Sequence, residues 1–167
     1  MKEINTYMNL LNKTNIIRVP VNISINKTEG KEIIEISLIY NNVEYIGVGS
    51  EWLWEDAFTD LQRKLPKDVK LLCCMTCRYG NMCPFGNEPR ELYCTKKRNV
   101  SNKNQLAELF NEDKINQDNK VYCDYYCDDY EEQDISNYTY NDYLYYLNRR
   151  EEKWMRNQKM KRSILKF

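Results

Sequence analysis

Residues 32–48, E-I-I-E-I-S-L-I-Y-N-N-V-E-Y-I-G-V, decide the fold class of this chain. Every second residue from Ile34 to Tyr40 is apolar, which is the period of a strand with one buried face. Asn41-Asn42 predicts a tight turn, because asparagine tolerates the left-handed backbone that such turns require. Val43–Val48 is then the returning strand, so the stretch predicts an antiparallel hairpin.

The preceding residues predict a third antiparallel strand. Apolar residues alternate with others between Arg18 and Ile25, at Val19, Val21, Ile23 and Ile25. Pro20 has no backbone N–H to donate, so this strand is expected at a sheet edge or to begin there. Residues 26–30, N-K-T-E-G, predict the turn that leads into the hairpin.

A helix is predicted from Ser50 to Leu65. Ser50 is a suitable N-cap, and acidic residues follow it near the positive end of the helix dipole: Glu51, Glu55 and Asp56. Pro66 ends the helix, whose apolar face has helical spacing: Trp54, Ala57, Phe58, Leu61 and Leu65. Trp52 and Trp54 could form a stacking platform, although aromatic residues on a helix beside a sheet are usually core or rim residues.

The rest of the chain predicts shorter elements. Residues 69–74, V-K-L-L-C-C, predict a fourth strand that leads into a cysteine-rich loop. A short strand is expected at 90–95, a helix at 102–110 and a polar loop at 111–120. A last helix is expected from about Asn141, with these residues facing inward: Leu144, Leu147 and Trp154.

These elements predict an α+β fold. We expect a mostly antiparallel sheet formed by three strands, a helix and a further strand, with one packed helix. A domain over residues 1–120 would include the cysteine-rich loop at 73–94. Residues 121–167 would form an acidic, tyrosine-rich segment followed by a basic helical extension.

The composition excludes several classes of mechanism. The 167 residues include seven cysteines and no histidine, which excludes a Ser-His-Asp triad, a Cys-His dyad and a histidine-bearing metal site. Residues 1–15 resemble neither a secretory signal nor a transmembrane segment, which predicts a cytoplasmic location. Disulfides are disfavoured there, so clustered cysteines are interpreted first as metal ligands.

The strongest motif is L-C-C-M-T-C-R-Y-G-N-M-C-P-F-G-N-E-P-R-E-L-Y-C at residues 72–94. Cys74 and Cys77 form a C-x-x-C pair, whose thiolates can bind one ion from a tight turn. The predicted site is a structural zinc on Cys74, Cys77, Cys83 and Cys94, with no catalytic residue, because four thiolates leave no position for water. Two later cysteines are alternative ligands: Cys123 and Cys127. Cys73 is expected to point into the core.

Other interpretations of the cysteines are weaker. An iron–sulfur cluster is disfavoured because the spacing matches neither the radical-SAM motif nor a ferredoxin motif. A thiol redox site at Cys74 and Cys77 would need the pair at the start of a helix, whereas residues 78–81 continue into a loop. The remaining alternative is a set of free buried thiols without metal.

The net charge of zero hides two segments of opposite sign, among 25 basic and 25 acidic residues. Between Cys123 and Asp142 every charged residue is acidic, which predicts a solvated acidic surface rather than a cation site or a nucleic-acid mimic. From Arg149 onward basic residues dominate, and such a helix could bind a phosphate backbone or an anionic membrane surface. Glu151 and Glu152 interrupt it, which favours an ordinary solvated helix. The two segments could also contact one another.

The cysteine loop resembles a family of uncharacterised bacterial cysteine-motif proteins. The similarity covers about residues 43–94: a helix ending at Leu65-Pro66, a strand leading into Cys74-x-x-Cys77-Arg78-Tyr79, then Pro84-Phe85-Gly86 and Cys94. It implies a bacterial origin and a metal-supported fold, but no activity.

We therefore expect a non-enzymatic cytoplasmic binding or regulatory module that contains zinc and contacts another protein. The first alternative is a nucleic-acid-associated protein that uses the zinc loop and the basic C-terminal helix. The second alternative is a thiol redox enzyme at Cys74 and Cys77.

Overall fold

The computed structural model describes residues 2–28, 31–50 and 53–148. Its elements in chain order are β1 (Lys2–Asn12), β2 (Asn15–Thr28), β3 (Lys31–Tyr40), β4 (Val43–Ser50), α1 (Trp54–Lys64), β5 (Val69–Leu72), β6 (Gly80–Asn81), β7 (Glu91–Cys94), α2 (Lys103–Asn111) and β8 (Lys120–Tyr122). Two 3₁₀ turns occur at Cys74–Thr76 and Gln117–Asn119. Residues 143–148 are helical.

The larger sheet has the strand order β4-β3-β2-β1-β5, with antiparallel pairing throughout. β3 and β4 form the predicted hairpin, in which Tyr40 pairs with Val43. Asn41 and Asn42 have φ values of 51° and 62°, the left-handed conformation expected of this turn. The prediction of a mostly antiparallel α+β fold is confirmed.

The predicted number of elements is wrong. β1 was missed, although it pairs with β2 over its full length and with β5 at its end. Its residues do alternate between faces, but Thr6 and several asparagines dilute the apolar pattern. β6, β7 and β8 form a second antiparallel sheet that was not expected. The described residues include three helical segments, α1, α2 and 143–148, whereas the predicted architecture had one packed helix and a C-terminal helical extension.

α1 packs on the inner face of the larger sheet. Phe58 and Leu61 are fully buried, and a Cβ on Gly47 of β4 would lie 2.3 Å from the Ala57 carbonyl oxygen. The helix begins after Leu53 and not at Ser50, because Ser50 is still part of β4. Trp54 is buried as a core residue, whereas Trp52 and Trp154 lie outside the described residues.

The larger sheet curls around α1 so that both of its end strands contact this helix. Gln62 donates from Nε2 to the Val69 carbonyl and accepts at Oε1 from the Leu71 N–H of β5, each at 2.8 Å. On β4, the Val48 N–H donates to Asp60 at 3.0 Å, and Lys64 donates to the Ile46 carbonyl at 2.7 Å. One helix therefore hydrogen-bonds the backbone of both end strands. In the part of the chain that the structure describes, no helix is long and apolar enough to cross a membrane.

Candidate metal centre

The cysteine-rich loop begins with a tight turn directly after β5. The Cys77 N–H donates to the Cys74 carbonyl at 3.3 Å, and the Gly80 N–H donates to the Cys77 carbonyl at 3.0 Å. A Cβ on Gly80 would lie 1.9 Å from the Cys74 carbonyl oxygen, so only glycine fits this close approach. The turn holds Cys74 and Cys77 at its two ends.

β7 brings Cys94 to this turn. Gly80 of β6 pairs with Cys94 of β7 in the small sheet. The N–H of the next residue, Thr95, donates to the Tyr79 carbonyl at 3.0 Å. Cys94 therefore lies beside the C-x-x-C turn although it is far from it in sequence.

Residues 122–132 form a third segment that packs across the same turn. The Cys74 N–H donates to the Tyr125 carbonyl at 2.6 Å, and the Arg78 N–H donates to the Glu131 carbonyl at 2.9 Å. Cys77 also forms an isolated antiparallel bridge with Glu132. Cys127 lies between these two attachment points, so the backbone brings it to the turn.

The pKa values of Cys74 and Cys77 are raised by burial and by neighbouring thiols, with Cys94 and Cys127 acting on both. Burial raises the pKa of Cys74, and the neighbouring thiols of Cys73, Cys77, Cys94 and Cys127 raise it further. Burial is also the main cause of the raised pKa of Cys77, with Cys94 and Cys127 adding to it. Four clustered thiols disfavour one another's ionisation, whereas a bound cation would favour it.

Of the other cysteines, Cys83 lies apart from this cluster, whereas Cys73 and Cys123 neighbour Cys74 within the main core. Cys83 packs against a separate cluster formed by Tyr93, Leu106 and Ile115. Cys73 and Cys123 are fully buried in the main core, as expected for Cys73, and burial raises the pKa of Cys73 to about 12. Of the six candidate ligands named from the sequence, the structure brings together Cys74, Cys77, Cys94 and Cys127.

The four cysteines are neighbours and not a closed coordination shell. Within residues 2–28, 31–50 and 53–148, no group of three or more cysteine or carboxylate side chains is arranged so that it could hold a metal ion. A zinc site would require the four sulfur atoms to move to about 2.3 Å from the ion.

The acidic segment is more extensively paired than a freely solvated surface. Glu131 lies 2.9 Å from Arg78, and Glu132 lies 2.7 Å from Lys70. Asp129 pairs with Lys96, whose pKa is raised mainly by its hydrogen bond to Asp129 and further by Cys127 and Cys94. These contacts hold residues 128–132 against the cysteine turn. The basic residues from Arg149 onward, which could have been their partners, lie outside the described residues.

No protein-family model matches this chain, and neither a curated protein nor a solved structure matches it. The resemblance of residues 43–94 to the bacterial cysteine-motif family therefore stays a prediction.

Proposed function

We propose that this protein is a non-enzymatic binding or regulatory module whose cysteine-rich layer is held by a structural zinc on Cys74, Cys77, Cys94 and Cys127. The observation that carries this proposal is the convergence of three chain segments on one turn. Compared with the ligand set expected from the sequence, Cys127 replaces Cys83. Cys123 is left out of the proposed set, because it is fully buried beside Cys73 and is not among the thiols that raise the pKa of Cys77.

A structural role is supported by the elements that the zinc would join. β6 has only two residues, and β7 and β8 are also short. Sheets of this size have little stability of their own. A zinc ion on four thiolates would cross-link the turn, β7 and residues 122–132, so its binding energy would contribute directly to folding. Because the shell is not preformed, zinc binding would draw the four thiolates together.

Binding is better supported than thiol chemistry. A redox or nucleophilic cysteine needs an exposed thiol with a lowered pKa. Cys74 and Cys77 are 8% and 6% exposed, and burial raises the pKa of both. The alternative of nucleic-acid binding depends on the basic residues beyond Asn148, which the structure does not describe, and it stays a prediction.

Metal analysis of matched cysteine variants tests the proposal. We expect about one zinc per chain in the wild type and in Cys83→Ser, and loss of zinc with a lower melting temperature in Cys127→Ser. Cys127→His should restore part of the zinc binding, because three thiolates and one imidazole also form a zinc site. The wild type and the three variants are purified under reducing conditions and compared by mass spectrometry of the bound metal.

Two results would overturn the zinc site. One is wild-type protein that is folded without metal, and the other is loss of zinc from Cys83→Ser with zinc retained in Cys127→Ser. If the purified protein is brown and contains iron, the cysteines hold an iron–sulfur cluster instead of zinc.

A further inference from the structure

Within the described residues, part of the edge of the larger sheet is not covered by another element. Sheet edges present unpaired N–H and C=O groups that can pair with another chain. α1 hydrogen-bonds part of the outer edge of β4, through Asp60 and Lys64, and the outer edge of β5, through Gln62. The next strand inward, β1, has no such cover over its first half.

The pairing registers define this open stretch. β1 pairs with β2 from Lys2 to Asn12. On its other side it pairs with β5 only from Asn9 to Asn12, because the chain leaves the sheet after Leu72. Among the described residues, the backbone of Lys2–Met8 makes no hydrogen bond on this side. An added strand would continue the line of β5 beyond Leu72.

A cleft of about 620 Å³ lies along this open edge. Residues from both faces of β1 line this cleft. Its lining also includes four tyrosines: Tyr7, Tyr122, Tyr125 and Tyr126. Tyr7, Tyr122 and Tyr125 are 55%, 53% and 54% exposed, although tyrosine rings gain from burial. The cleft therefore offers aromatic surface beside unpaired backbone groups.

Hydrogen bonds to the buried side chain of Asp124 fix one wall of the cleft to β1. Thr6 donates to Oδ2 of Asp124 at 2.9 Å, and Arg90 donates to Oδ1 at 2.7 Å. Because Thr6 and Tyr7 point to opposite faces of β1, the segment that contains Asp124 flanks the edge on the face opposite Tyr7. Residues added along the edge would thus contact tyrosines on both sides.

The cleft also contains one positive charge that is not neutralised within it. Its charged lining residues are Arg18, Arg90 and Asp124, and the last two pair with each other. The Arg18 guanidinium lies 4.4 Å from the centre of the Tyr7 ring, and Arg18 forms no ion pair with any residue in the described ranges. A ligand with a carboxylate near Arg18 would complement this charge.

We propose that the open half of β1 binds an extended peptide of a partner protein by strand addition, with apolar side chains against the tyrosines and a carboxylate beside Arg18. Main-chain hydrogen bonds to Lys2–Met8 supply affinity, and the tyrosines and Arg18 select the sequence. The inference rests on the proposed function as a binding module. Tyr126 directly precedes Cys127, so the proposed zinc would also support one wall of the cleft.

A phage-displayed library of random dodecapeptides, panned on the full zinc-loaded chain, tests this proposal. Enriched peptides should alternate apolar and polar residues and include an acidic residue. Tyr125→Ala and Arg18→Glu should each weaken the binding of a synthetic enriched peptide about tenfold or more. Tyr145→Ala is the matched control, because Tyr145 is also 54% exposed but lies outside the cleft.

Hydrogen exchange shows whether the peptide adds a strand. Bound peptide should slow the exchange of amides within Lys2–Met8, and N-methylation of alternate peptide residues should abolish binding. The proposal is overturned by a library without enriched peptides, by peptides that bind all variants equally, or by peptides that leave β1 unprotected. Concentration-dependent dimers that protect the same amides without peptide would assign the edge to a second copy instead.

Zinc content measured in the same samples separates the two proposals. Peptide binding by protein without zinc would overturn the metal site and leave strand addition intact. Zinc-loaded protein that enriches no peptide would overturn strand addition alone.

Discussion

Arg90 and Asp124 form a buried ion pair, with Nη2 of the arginine 2.7 Å from Oδ1 of the aspartate. The side chains are only 15% and 4% exposed. The second carboxylate oxygen accepts a hydrogen bond from Thr6, so the pair ties β1 to the residues before β7 and after β8. Arg90 has a φ of 67°, a left-handed backbone conformation that a non-glycine residue rarely adopts. The ion pair stabilises an arginine at a position that glycine would fit more easily.

Loss of one partner should be strongly destabilising. Arg90→Met leaves the Asp124 carboxylate buried without its counter-charge, and we expect the free energy of unfolding to fall by about 3 kcal/mol. Urea denaturation of the wild type and the variant measures this change. In Arg90→Met/Asp124→Leu the buried charge is absent, so part of the loss should be recovered. The account would be contradicted if the double variant lost as much free energy of unfolding as Arg90→Met and Asp124→Leu lose together.

Gly80→Ala should disrupt the cysteine turn. The new Cβ would lie 1.9 Å from the Cys74 carbonyl oxygen, and a backbone atom cannot move aside without deforming the turn. We expect a loss of about 2 kcal/mol or more in the free energy of unfolding, together with weaker zinc binding. Phe85→Ala in the same loop serves as the control, because Phe85 is 64% exposed and should change stability by less than about 0.5 kcal/mol. If Gly80→Ala and Phe85→Ala have the same free energy of unfolding, the cysteine turn is not tightly packed around Gly80.

Gln62 should control both the stability and the association of the larger sheet. Gln62→Ala leaves the Val69 carbonyl and the Leu71 N–H without their partner, which should cost about 2 kcal/mol. It also uncovers the edge of β5, so dimers should appear in sedimentation experiments as the concentration rises. Gln62→Glu keeps the acceptor for Leu71 but loses the donor to Val69, and its stability should be intermediate. If both variants match the wild type, the side chain does not stabilise this edge.

Glu55 should make the protein less stable as the pH rises. Its side chain is 3% exposed, one carboxylate oxygen has no hydrogen-bond partner, and burial raises its pKa above the ordinary value of 4.5. The folded state thus binds this proton more tightly than the unfolded state does. The contribution of Glu55 is most favourable below pH 4.5 and decreases as the pH rises through the raised pKa.

Glu55→Gln isolates this contribution. At pH 7 the variant should be more stable than the wild type by about 1 kcal/mol, because a buried charge is removed. The difference should shrink toward pH 4, where Glu55 is protonated in the wild type as well. Glu108→Gln, at an exposed position on α2, is the control and should leave the pH profile unchanged. A difference between Glu55→Gln and wild type that does not vary with pH would contradict the raised pKa of Glu55.

Local sequence patterns correctly predicted those strands, turns and helices whose conformation depends mainly on residues close together in the chain. The β3–β4 hairpin followed from alternation and from Asn41-Asn42, since turn conformation depends on the two residues themselves. α2 also formed where expected, with Asn102 accepting at its side chain from the Gln105 N–H. β1 was missed because its pairing with β2 and β5 compensates for a weak apolar pattern.

By itself the sequence determined the fold class, the absence of histidine chemistry and the pool of candidate thiol ligands. Only the tertiary structure decided which thiols are neighbours, because Cys94 reaches the turn through pairing with Gly80, and Cys127 through the hydrogen bond between Cys74 and Tyr125. It also decided that β1 has an uncovered edge, since this depends on where β5 leaves the sheet. Both features arise from contacts between residues far apart in the chain, which no local spacing encodes.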